Sequence, residues 1–294
     1  MKNTLLILFL SVSVVQATLA QSDSIRFISD IKILGNHYKD NVYGIAINYD
    51  INFNELKSII SNDSIMSLSK FTLNVTFSEN KTKIKPALGF DKLKNGNANL
   101  AIYQKYGSFD FNKPQPIAEV IFIPLAAFDL SEGEHLINVL IGLNGEDAFG
   151  NKYKQEFIEK DIIIRIKKTH TITFNIDYIE VNEMTPDKKV WDIGLFNSFI
   201  PDVAVKIMLA NTVVWTDAVH DAYIYAKGPK SKNIRFLVSD GDNIRFRVED
   251  NDVFINDFIG EITIPINDAN VGKTYLLNKQ FHSVKDCVVT YKIE

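Results

Sequence analysis

The feature that most limits how this chain can fold is an apolar rhythm of two. "YGIAINYDINF" sets Tyr43, Ile45, Ile47, Tyr49, Ile51 and Phe53 on one side of an extended chain. "FTLNVTF" repeats the rhythm with Phe71, Leu73, Val75 and Phe77, and "LINVLIGL" with Ile137, Val139, Ile141 and Leu143. Successive side chains of a strand point to opposite faces, so each segment buries one face and wets the other. Turn-forming clusters such as "NGN" and "LSEGEH" separate the segments. The helical hint, Phe53, Leu56 and Ile60 in "FNELKSII", amounts to a short helix at most. Many short alternating strands with turns between them predict an all-β chain built from β-sandwiches.

A second series of strands begins after "IIIRIKKTH". "ITFNIDY" alternates Ile172, Phe174, Ile176 and Tyr178, and "IRFRVED" sets Ile244, Phe246 and Val248 against Arg245, Arg247 and Glu249. The chain is therefore divided near Lys168 into two tandem sandwiches, 21–168 and 169–294. No Pro, Gly or Ser run marks the junction, so reorientation of the two halves is expected to be limited. Ahead of them, residues 1–20 read as an export signal: Lys2, the apolar run "LLILFLSVSVV", then small residues in "ATLA" before Gln21. The mature protein is expected in the periplasm, at the cell surface or secreted. No later stretch is long and apolar enough for a transmembrane helix. With 46% hydrophobic residues the 294-residue chain can fill a core, which matters because its single cysteine, Cys287, excludes an internal disulfide. Cys287 shares its phase with Val289, Tyr291 and Ile293 and is expected to be a buried apolar side chain. The net charge of −4, without a basic stripe, argues against a nucleic-acid partner.

The stretch "VEDNDVFINDFIGE" carries the chemistry. Asp250, Asp252 and Asp257 surround an apolar tip, Val253-Phe254-Ile255. Two like charges about 4 Å apart repel by a few kcal/mol near a protein surface, and a divalent cation removes that repulsion. Calcium takes six to eight oxygen ligands in a flexible shell, which suits carboxylates delivered by loops. One loop cannot fill such a shell. "WDIGLFNSFIPDVAVKI" offers Asp192 and Asp202 around a second apolar tip, Leu195-Phe196 and Phe199-Ile200, with Asp187 as a rival for the first acidic position. The expected calcium ligands are Asp192, Asp202, Asp250, Asp252 and Asp257. The apolar tips either fold back onto one another and the first half, or meet a surface.

From Thr171 to Glu294 the chain resembles the C2 family of calcium- and lipid-binding sandwiches. The resemblance lies in Asp250-Asn251-Asp252 followed by Asp257-Phe258-Ile259-Gly260-Glu261, and in Asp192 and Asp202 ahead of "VAVKI". It implies an eight-stranded fold with calcium held between loops at one end, and apolar crests able to enter lipid headgroups. The first half is similar in style to sandwich domains of exported proteins of the Bacteroidetes type. Its "FIPLAAFDLSEGEHLINVLIGL" reads as a proline-marked edge, a turn and a returning strand. "NGEDAFGN" reads as an Asx/Gly turn rather than another cation loop.

Signs of catalysis are lacking. The sequence has no G-x-S-x-G elbow, no H-E-x-x-H and no phosphate-binding Gly-Lys loop. The histidines, His37, His135, His170, His220 and His282, are scattered without ligand spacing. The expectation is a non-catalytic, exported binding protein that holds calcium and docks on an unidentified protein or lipid surface. The alternatives are a metal-independent structural or assembly component of a bacterial envelope, or an accessory to a hydrolase.

Overall fold

The computed structural model describes residues 27–54, 69–96, 98–147, 149–185, 200–220, 222–226, 231–251, 257–277 and 281–294. Residues 1–20, assigned to an export signal, and Leu56 and Ile60 of the helical hint lie outside them.

The alternating segments become strands. The first half holds β1 (Ile28–Lys39), β2 (Val42–Ile51), β3 (Lys70–Glu79), β4 (Thr82–Lys83), β5 (Ala101–Tyr106), β6 (Ile117–Pro124), β7 (Gly133–Glu146) and β8 (Lys152–Ile166). Antiparallel ladders order one sheet β1-β2-β6 and the other β4-β3-β7-β8, with β5 also on β3. Ile45, Ile47 and Ile51 of β2 are buried, as are Phe71, Leu73, Val75 and Phe77 of β3 and Ile137, Val139, Ile141 and Leu143 of β7. Phe27 and Phe53 meet Phe71 with ring centroids 5.2 and 5.4 Å apart. Two buried hydroxyls, of Tyr49 and Tyr106, satisfy each other at 2.6 Å. β6 is an edge strand ending in Pro124, the kind of position in a sheet where a residue without an amide is tolerated. The connection through "LSEGEH" does not close a hairpin. It leads from β6 in one sheet to β7 in the other, so the returning strand packs across the sandwich.

In "NGEDAFGN" the buried carboxylate of Asp147 is engaged by its own loop. It accepts the amides of Phe149 and Asn151, the Asn151 side-chain amide and the Tyr153 hydroxyl, each at 2.9 Å. Local bonds of this kind are what an Asx turn supplies, and they occupy the oxygens a cation would use.

The second half holds β9 (Thr169–Val181), β10 (Val203–Leu209), β11 (Thr212–Val219), β12 (Ile224–Ala226), β13 (Ile234–Ser239), β14 (Asn243–Asp250), β15 (Asp257–Pro265), β16 (Thr274–Leu277) and β17 (Val284–Ile293). One sheet runs β11-β10-β14-β15 and the other β12-β9-β17-β16, with β13 also on β9. β12 pairs with the end of β9 and β13 with its beginning, so the two share one edge position. Each sheet therefore has four strand positions. Ile172, Phe174 and Ile176 are buried as their phase requires, and so is Cys287. Tyr178 departs from that phase. The β17–β9 ladder skips a residue between Ile176 and Tyr178, so the bulge turns Ile179 inward and brings the Tyr178 hydroxyl to Asp286.

β8 ends at Ile166 and β9 begins at Thr169, and the two halves meet along a seam of backbone bonds. The β1–β2 turn uses Asp40 and Asn41, both at positive φ (51° and 58°), as a two-residue hairpin of right-twisted strands requires. The Asn41 carbonyl accepts the amide of Asn243 at 2.8 Å, and the Leu88 carbonyl that of Leu237 at 3.1 Å. Gly89 follows at φ +86°, where a Cβ would stand 2.2 Å from that of Phe236. Only glycine tolerates both that dihedral and that approach.

Candidate functional site at the acidic end

The residues expected to hold calcium start from a simple extension of the strand rhythm. On β14 Ile244, Phe246 and Val248 face the core, and Asp250 continues their phase. A carboxylate therefore ends a core-facing row, and Asp250 is fully buried. The ladders set Val203 and Asp257 on either side of it, so Asp202, Asp250 and Asp257 lie on adjoining stretches at one end of the sheet, but among the described residues their carboxylates do not form a group close enough to share an ion. The Asp202 amide donates to Asp250 Oδ1 at 2.7 Å, and the Asn251 amide donates back to the Asp202 carbonyl at 2.9 Å. Asp250 thus anchors the entry to β10. Asp202 Oδ2 lies 2.6 Å from Nδ1 of His220, and Asp257 is exposed.

The "DFIGE" signature acts through a bulge. Glu249 pairs with Phe258 and Val248 with Gly260, which leaves Ile259 as the extra residue, buried in the core. The Ile259 carbonyl accepts the Ser283 amide at 3.0 Å, and a Cβ on Gly260 would meet the Phe281 ring at 3.0 Å. The bulge displaces Phe258 onto the surface, where the Arg247 guanidinium lies 5.2 Å from its ring. On the outer face of the same sheet Glu249 pairs with Lys206 and Arg247.

Asp192 and Asp252 lie outside the described residues. So do the rival Asp187 and the tips Leu195, Phe196, Phe199 and Val253-Phe254-Ile255. The described part of the expected ligand set is Asp202, Asp250 and Asp257.

A tighter grouping stands at the opposite end. Among the described residues, ligand atoms of His170, Asp240 and Asp268 all lie within 4.8 Å of one another. Sequence spacing gave no sign of it, because the three come from β9, the β13–β14 turn and the segment after β15. The only local signal is the acidic turn "SDGDN". His170, read from sequence as one of five scattered histidines, is 3% exposed.

Among the described residues no helix is long and apolar enough to cross a membrane. No protein-family model matches the sequence, and no curated protein is a significant relative. Solved structures offer distant likenesses. A structure described as a C2 domain is 15% identical with a TM-score of 0.31, over 42% of this chain and 98% of that one. Human GIVD cytosolic phospholipase A2 is 10% identical with a TM-score of 0.27, over 77% of this chain and 32% of that one. Extended-Synaptotagmin 2, in a structure of its SMP domain and two C2 domains, is 7% identical with a TM-score of 0.32, over 90% of this chain and 56% of that one. The fold rests on the sheet pairing itself: this is an all-β chain of antiparallel sandwiches, with distant structural likenesses among C2 domains.

Proposed function

We propose that the protein is an exported, non-catalytic binding module whose second sandwich coordinates calcium at its acidic end and then docks on a lipid or protein surface. The observation that supports this reading is that Asp202, just before β10, Asp250 at the end of β14 and Asp257 at the start of β15 stand at the same end of one sheet. Asp192 and Asp252 are assigned as the ligands that complete the shell. Calcium there would offset the repulsion among carboxylates and offer its open coordination positions to phosphate or carboxylate oxygens of a partner. The test is sedimentation of the full chain with phosphatidylserine-containing vesicles, with calcium and with EDTA. Calcium-dependent pelleting that is lost in Asp257→Asn supports lipid docking. Calcium binding without pelleting moves the reading to a protein surface.

One observation favours the metal-independent structural alternative. The Asp202 carboxylate is paired with His220, and Asp250 Oδ1 is occupied by the Asp202 amide. These bonds hold the loop entry together without an ion. On that reading calcium changes neither stability nor binding.

A further inference from the structure

We propose that His170, Asp240 and Asp268 form a second metal site, for a transition divalent cation of the zinc type, at the junction end of the second sandwich. The site is independent of the calcium reading and lies at the other end of the strands from it. β14 runs from Asn243 to Asp250 and β15 back from Asp257 to Pro265, so Asp240 and Asp268 sit beyond the ends remote from Asp250.

The backbone places all three side chains. His170 faces Val238 in the β9–β13 ladder, two residues before Asp240. The Asp240 amide donates to the Lys168 carbonyl at 2.8 Å, which fixes the turn against the junction. Gly241 donates to the Ile266 carbonyl and Ile266 to the Asp242 carbonyl, both at 2.9 Å, which fixes the segment leading to Asp268. His170 is thus held by a strand, and Asp240 by a turn that backbone bonds anchor, while Asp268 follows at the end of an anchored segment.

The histidine turns an acidic pair into a site. His170 Nε2 is buried and hydrogen-bonds nothing among the described residues, and neither does the buried Oδ1 of Asp240. Buried polar atoms of this kind are normally satisfied. Nε2 points into the acidic pair, 3.2 Å from Asp268 Oδ1 and 3.6 Å from Asp240 Oδ1. Ligands about 2.0–2.1 Å from one zinc ion stand roughly 3.3 Å apart at the corners of a tetrahedron. The donor set selects the class of ion, because calcium takes oxygen whereas imidazole suits zinc, copper, nickel and iron. Three protein ligands leave one position open to water. Lys168 Nζ lies 2.7 Å from Asp268 Oδ1, on an exposed side chain free to swing into solvent when an ion arrives. A bound ion would join β9, the β13–β14 turn and the segment after β15 beside the seam between the two halves.

The test is titration of the full chain with Zn²⁺ by calorimetry in a non-chelating buffer, and with Co²⁺ by visible absorption. It is repeated in an Asp250→Asn/Asp257→Asn background, which removes described acids of the other end. One ion per chain is expected in both backgrounds, with a Co²⁺ d–d band of a site with few ligands. His170→Gln is expected to weaken binding by more than about a hundredfold, since loss of even an outer partner of a ligand costs 10–100-fold. Lys168→Ala is expected to tighten it. Asp268→Asn, a change at an exposed residue, gives the same loss if His170→Gln fails to fold. Absence of binding at about the millimolar limit of weak biological sites, or undiminished binding in both ligand variants, overturns the proposal.

Discussion

Asp242 offers a quantitative test of the seam. Its side chain is fully buried, and its Oδ1 accepts the amide of Tyr43 from the first half at 3.0 Å. Lys167 Nζ lies 3.4 Å from the centre of the Tyr43 ring. Burial pushes the carboxyl up from 3.8 to about 7, against the opposing pull of the Tyr43 amide, the Lys167 ammonium and Ser239. Between those two values the folded chain keeps a proton that the unfolded chain has released. Stability from this group is therefore complete below about pH 4, falls as pH rises towards 7, and is level above that. At about 1.4 kcal/mol per pH unit, the loss between pH 5 and pH 8 is on the order of 2–3 kcal/mol. Asp242→Asn keeps an acceptor for Tyr43 and cannot ionise. Any packing cost it carries is the same at every pH, so the quantity to read is the difference in slope. Guanidinium unfolding of both proteins at pH 5, 6, 7 and 8 measures it. The variant is expected to gain about 2–3 kcal/mol on the parent across that range. Parallel profiles would refute the account of a neutral carboxyl sealed between the halves.

Three further outcomes follow from the packing. Gly89→Ala forces a Cβ to 2.2 Å from that of Phe236 at φ +86°, and is expected to cost more than about 2 kcal/mol in thermal or chemical unfolding. Tyr49→Phe and Tyr106→Phe each leave the other buried hydroxyl alone, for about 1–3 kcal/mol apiece, while the double variant costs less than their sum. For Asp147, burial opposes ionisation, but the bonds from Asn151, Tyr153 and Phe149 prevail and hold the carboxyl below its usual range. Its contribution is present above about pH 4 and is lost as acid titrates the folded carboxylate, so Asp147→Ala is expected to flatten that part of the acid-unfolding profile.

The strand faces were legible in the sequence because alternation has one physical reading. Ile45 to Ile51, Phe71 to Phe77 and Ile137 to Leu143 lie buried as their phase demands. The lapses come where the chain breaks its own period. A bulge moves Tyr178 off the core, and a second one at Ile259 exposes Phe258, and neither insertion leaves a mark in composition. The crossing of "LSEGEH" between sheets was hidden because a turn specifies local geometry and not which sheet follows. At the acidic end the sequence showed the residue types but not their depth. The sequence sets Asp250 beside an apolar loop tip, and its phase with Val248 places it under the end of the core, holding the Asp202 amide. The His170 group was invisible, because its members meet through three connections that no motif spans.

Calcium calorimetry on the full chain, beside Asp250→Asn and Asp257→Asn, tests the central claim most directly. The account predicts saturable heat in the parent at calcium concentrations up to about 1 mM, and its loss in both variants with the fold retained by circular dichroism. No heat from the parent, or equal heat from all three proteins, would contradict it.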